Sequence, residues 1–151
     1  MMNPPRRLVW LLWMLLFVFC CRVLGQALVA FLDVTWLPPM EEWYSGLMVY
    51  PLLLPTQLLI IAIYTKVCRD FTQGDGFFVQ SRPLFGRGVL WFGYVYLITM
   101  ILRYIIRMSL YPEARWFGGV IPIFFHWILA AFLIAFGLYH RGRLIHWSQR
   151  S

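Results

Sequence analysis

Five polar residues lie inside long apolar stretches of the sequence and are the side chains best suited to chemistry: Arg22, Gln57, Arg103, Arg107 and His126. A guanidinium group binds a carboxylate or a phosphate through a planar fork of N–H donors. Histidine and glutamine side chains can add hydrogen bonds to the same ligand. The pattern therefore predicts a site for an anionic or lipid-like ligand, provided that the elements carrying these residues meet.

A second pattern on the same stretch concerns redox chemistry. His126 and His140 are 14 residues apart, which is about four helical turns or 21 Å on one helix face. Paired haem-ligating histidines on single helices of cytochrome-b-type membrane proteins have a similar spacing. Haem b needs axial ligands from a second helix as well, and His146 is the one histidine left. A second copy of the chain could supply the missing haem ligands, and a quinone-linked role of His126 and His140 is the related alternative. No other cofactor and no metal site is predicted.

The elements that must position these residues are long apolar runs. Apolar residues make up 62 % of the chain and charged residues 13 %, whereas soluble domains have about 45–50 % and about 25 %. A membrane-spanning helix needs about 20 mostly apolar residues. Four runs meet that length, at 8–32, 46–65, 88–110 and 116–140, with a connection at 66–87 between the second and the third. We therefore expect an all-α integral membrane protein, a single four-helix transmembrane bundle over residues 1–151.

The distribution of charge predicts how this bundle lies in the membrane. Nine of the thirteen basic residues fall before the first run, between the second and third, or after the fourth. They are Arg6, Arg7, Lys66, Arg69, Arg82, Arg87, Arg141, Arg143 and Arg150. Cytoplasmic connections carry such an excess, so both ends and the 66–87 loop are expected inside, in the cell membrane if the source is bacterial. This topology accounts for the net charge of +7, and nucleic-acid binding is not expected.

Residues 1–25 also have some features of a secretory signal. Arg6 and Arg7 precede an apolar run, and Val23-Leu24-Gly25 is compatible with cleavage. However, Arg22 lies beside that point and the apolar run continues to Leu32. These features favour a retained first span.

The polar residues within the runs fall at similar depths. At 1.5 Å per residue, Arg22, Gln57 and His126 lie about 15 Å from the outer ends of their spans, and Arg103 lies about 10 Å from its own. A charge facing lipid costs at least about 2.5–3.5 kcal/mol, so these groups should face the bundle interior. An alternative is purely structural, because the four outer arginines could pair with the four outer carboxylates, for example Arg107 with Glu41 or Glu42.

The sequence contains no phosphate-binding loop, zinc-binding HExxH pair or nucleophile elbow. Two carboxylates do not occur together within a run, so general acid–base catalysis inside the membrane lacks its usual pair. We therefore expect a non-enzymatic membrane component, such as an assembly factor or a transport-associated subunit. The expected partners are the lipid bilayer and either a second copy of the chain or another membrane protein.

Overall fold

The computed structural model describes residues 4–43, 49–80, 82–111 and 121–142. It is all-helical, with 83 % helix and no strand in the described part of the chain. The helices are α1 (Arg6–Leu32), α2 (Met40–Trp43), α3 (Tyr50–Gln73), α4 (Pro83–Leu110) and α5 (Ile121–His140). Within these ranges, the four helices other than α2 are long and apolar enough to cross a membrane.

The helices and the predicted spans differ most around the 66–87 loop. α3 continues to Gln73 and α4 begins at Pro83, so both ends of this predicted loop are helical. The helix continues because Val67, Cys68 and Phe71 are buried against the rest of the bundle, even though polar residues alternate with them. The predicted residues 46–48 of the second span and 116–120 of the fourth lie outside the described residues.

Helices α1 and α5 are adjacent at the centre of the bundle. α3 packs against α1, and α4 packs against α5. The Tyr64 ring of α3 also stacks on the Phe132 ring of α5, with 3.7 Å between ring centroids. α1 and α5 therefore supply most of the buried side chains, while α3 and α4 leave large apolar surfaces uncovered.

One end of the bundle gathers the first turns of α1 and α4 with the last turns of α3 and α5. Trp13 Nε1 donates to Thr72 Oγ1 at 2.9 Å, and the backbone N–H of Arg82 donates to His140 Nδ1 at 3.3 Å. Seven described basic residues belong to this end, which we call the basic end. They are Arg6, Arg7, Lys66, Arg69, Arg82, Arg87 and Arg141.

The connection from α3 to α4 folds onto a buried carboxylate at the basic end. Asp70 is 2 % exposed; it forms an ion pair with Lys66 and accepts a hydrogen bond from the backbone N–H of Phe78 at 3.3 Å. Tyr139 Oη donates to the Val79 carbonyl at 3.2 Å. These contacts hold residues 76–79 against α3 and α5.

Candidate functional site

The polar layer of the bundle is built around Arg22 and Gln26 on α1. Arg22 is 7 % exposed and Gln26 is fully buried. Arg22 Nη2 and Gln26 Nε2 both donate to the Trp43 carbonyl oxygen, at 3.2 and 3.4 Å. The two residues are one helical turn apart, so their side chains converge on a single acceptor.

The Trp43 carbonyl reaches this position because the chain folds back after α1. α2 then places the Trp43 indole directly on Gly25, where a Cβ would lie only 2.8 Å from Trp43 Cη2. The indole Nε1 donates to the Pro38 carbonyl at 2.8 Å, which fixes the ring. A glycine on α1 thus permits the close approach that brings a backbone acceptor to Arg22.

Helix α3 contributes Gln57 to the same layer. Gln57 Nε2 donates to Gln26 Oε1 at 3.1 Å. Three further polar atoms here are buried without a hydrogen-bond partner in the described part of the chain: Arg22 Nε, Gln57 Oε1 and Tyr50 Oη. Buried polar groups in native proteins are nearly always paired, so this layer retains hydrogen-bonding capacity.

His126 on α5 lies on the other side of Arg22. It shares a hydrogen bond with Tyr96 of α4 through Nδ1, and the Arg22 guanidinium lies 5.7 Å from the centre of the neighbouring Phe125 ring. Arg22 and Arg103 are both within electrostatic range of the His126 ring. The predicted residues Arg22 on α1 and Arg103 on α4 are therefore close enough to His126 on α5 for their charges to act on it.

Arg103 and Arg107 line a groove of about 430 Å³ on the half of α4 that lies away from the basic end. Arg107 Nε is buried and has no hydrogen-bond partner among the described residues. Between described residues, neither Arg22 nor Arg107 is within ion-pairing distance of a carboxylate. The pairing of Arg107 with Glu41 or Glu42 considered from the sequence is therefore not formed.

His140 lies apart from this layer, at the basic end. It is 1 % exposed, and its Nδ1 accepts a hydrogen bond from the Arg82 backbone N–H. Its ring packs against Phe85, Phe136 and Tyr139. The structure thus places His126 and His140 in separate environments, and haem ligation by this pair stays a prediction.

The ligand-binding residues predicted from the sequence did not include Gln26, Tyr96 or the Trp43 carbonyl, which all belong to the polar layer. Gln26 follows Arg22 by four residues and Tyr96 precedes Arg103 by seven, so helical spacing was a usable signal for both. The Trp43 carbonyl is a backbone group whose position depends on the fold of residues 33–43. Such a group carries no side-chain signal in the sequence.

The chemistry available in the layer is that of donors and positive charge. Its described side chains are arginine, glutamine, histidine and tyrosine. In the ranges that the structure describes, no group of three or more histidine, cysteine, aspartate or glutamate residues is placed to hold a metal ion. The arrangement is suited to holding an anion. Comparison with protein-family models, with curated proteins and with solved structures finds no match to this chain.

Proposed function

We propose that this chain is an integral membrane protein with four spans and both ends in the cytoplasm, acting as a non-enzymatic membrane component. The observation that supports this proposal most directly is that the bundle has four helices apolar enough to span a membrane and has its basic residues gathered at one end. Cytoplasmic ends of membrane proteins carry an excess of lysine and arginine.

The exposed surface of the bundle supports insertion into lipid. Large apolar side chains on α4 and α3 point away from the other helices, among them Trp91, Phe92, Ile105, Leu58 and Leu59, each more than half exposed. In water, an exposed apolar area of this extent would favour aggregation, whereas lipid chains cover it without penalty. Insertion predicts that the chain stays in the membrane fraction after extraction with alkaline carbonate; release into the supernatant would contradict it.

A second candidate function is the binding of an anionic or lipid-like ligand by the polar layer. The observation that favours it is the buried guanidinium of Arg22, which no described carboxylate neutralises. Arg103 adds positive charge beside His126. A buried unpaired charge is costly, and an anionic ligand would supply the missing partner.

Replacing Arg103 by glutamine tests this second function. The purified protein, in neutral detergent, is titrated with phosphatidylglycerol and with a diacylglycerol that has the same acyl chains. We expect phosphatidylglycerol to raise the thermal unfolding midpoint of the unmodified chain, and Arg103→Gln to remove most of that rise. Arg87→Gln, an exposed arginine at the basic end of the same helix, is the matched control and should retain it.

The structural alternative predicts a different result from the same experiment. If Arg103 only holds helices together, Arg103→Gln lowers the midpoint without lipid and leaves the lipid-dependent rise intact. That outcome would rule out anion binding through Arg103.

A further inference from the structure

The groove on the outer half of α4 combines charge with an apolar wall. Arg103 and Arg107 are four residues apart and both line it. Leu102, Ile106 and Leu110 form its apolar side, and each is more than half exposed. Its volume of about 430 Å³ is within the range of about 300–1,000 Å³ that is usual for small-molecule sites.

The charge of Arg107 in this groove has no carboxylate partner among the described residues. The Arg107 Nε–H makes no hydrogen bond to another described residue. Side chains four residues apart on a helix have Cβ atoms about 5–6 Å apart. Both guanidinium groups can therefore contact one tetrahedral anion, because a phosphate presents several oxygens on different sides.

The depth of the groove matches the position of lipid phosphates. α4 has 28 residues and is about 42 Å long, close to the full bilayer thickness of about 40–45 Å. Arg107 lies about 5 Å and Arg103 about 10 Å from the outer end of this helix. If the helix is centred, the two arginines lie on either side of the boundary between headgroups and hydrocarbon, where a phosphate meets the acyl chains.

We infer that this groove binds the phosphate of an anionic phospholipid from the outer leaflet, with Arg107 and Arg103 as its ligands. One acyl chain lies along Leu102 and Ile106, and the headgroup lies beside Tyr111. The inference rests on the proposed insertion and orientation, and it names the ligand class of the anion site. Arg22 does not line the groove, and its positive charge adds to the attraction for an anion without contacting the lipid.

The test uses the full chain in neutral detergent with three probes. Phosphatidylglycerol carries both phosphate and acyl chains, diacylglycerol carries the chains alone, and glycerol phosphate carries the phosphate alone. We expect native mass spectrometry to detect one tightly held phosphatidylglycerol. Arg107→Gln should weaken its apparent affinity about ten- to hundredfold, as for the loss of a charged hydrogen bond, and Arg87→Gln should leave that affinity unchanged.

The other probes and variants distinguish a lipid site from the alternatives. Glycerol phosphate binding as tightly as phosphatidylglycerol would overturn a lipid site in favour of a soluble phosphate ligand. If Arg107→Gln and the unmodified chain bind phosphatidylglycerol with equal affinity, the groove is not the lipid site. Anion binding at Arg103 would be unaffected by that result. Failure of the unmodified chain to bind any anionic probe would overturn both the lipid site in the groove and anion binding by the polar layer. If Arg107→Gln does not fold, Arg107→Lys keeps the charge, and it should still weaken binding because it lacks the planar fork.

Discussion

Arg22 is a buried positive charge for which the described residues supply no negative partner. Its guanidinium is buried beside Trp43, donates to a neutral carbonyl, and pairs with no carboxylate among the described residues. A hydrogen bond to a carbonyl offsets only part of the free energy needed to remove a guanidinium from water. This imbalance is the physical reason for placing an anion in the polar layer.

Asp70 illustrates the opposite case, a buried charge with its partners in place. Asp70→Asn removes the negative charge that holds Lys66 and the Phe78 N–H. We expect the free energy of unfolding to fall by about 1.5–3 kcal/mol, the usual contribution of hydrogen bonds to charged groups. Unfolding by sodium dodecyl sulfate in mixed micelles would measure this change.

Asp75→Asn is the matched control for that experiment. Asp75 is exposed and accepts a hydrogen bond from the adjacent Gly76 N–H, so its replacement should change the free energy of unfolding by less than about 0.5 kcal/mol. A similar loss in the free energy of unfolding for both variants would show that the buried contacts of Asp70 do not stabilise the fold more than the exposed contact of Asp75.

At the scale of helices, the contact between α4 and α5 depends on glycines. A Cβ at Gly137 would lie 2.9 Å from the backbone of Leu90, and one at Gly93 would lie 3.3 Å from the Ile134 nitrogen. Small residues at such positions let two helix backbones approach closely, and van der Waals packing then stabilises the pair in lipid. The position of Arg103 relative to His126 depends on this contact.

Gly137→Ala tests the helix contact directly. The added methyl group cannot be accommodated without moving α4, so we expect a loss of about 1–3 kcal/mol in the free energy of unfolding. Gly88→Ala, in the same α4–α5 pair, meets no atom within 4 Å and should be neutral or stabilising by up to about 1 kcal/mol. Equal destabilisation of both variants, measured in the same mixed micelles, would contradict close packing at Gly137.

The apolar runs predicted the helices well and their ends less well. Leu8 to Leu32 was predicted as the first span, and α1 covers Arg6–Leu32. α3 extends past Thr65 because a helix can leave the apolar layer while one of its faces remains buried, as Val67 and Phe71 do. Hydropathy reports the environment of a segment, whereas helix ends depend on capping and tertiary contacts, such as the left-handed Gly74 after Gln73.

For the molecule as a whole, the sequence predicted which polar residues would be candidates but not how they would be paired. Depth along each run predicted similar levels for Arg22, Arg103 and His126, and both arginines lie within electrostatic range of His126 in the structure. The partners of Arg22 were not predictable, because Trp43 reaches it through a chain reversal. Whether Arg107 forms an ion pair with Glu41 or Glu42 likewise depends on how the helices pack, which hydropathy does not report.

We propose that four spans place the basic end of the bundle in the cytoplasm. Cysteine accessibility tests it most directly, in a full-length chain whose Cys20, Cys21 and Cys68 are replaced by alanine. Single cysteines are introduced at exposed positions at both ends of the bundle, Trp36 and Tyr111 at one end and Asp75 and Arg141 at the other. Each variant is labelled with a membrane-impermeant maleimide before and after cell lysis.

We expect cysteines at positions 36 and 111 to react in intact cells and cysteines at positions 75 and 141 to react only after lysis. Cysteines at both ends that react equally in intact cells would contradict a membrane-spanning bundle. The reverse pattern would keep the four spans but contradict the orientation, and with it the outer-leaflet lipid site on α4.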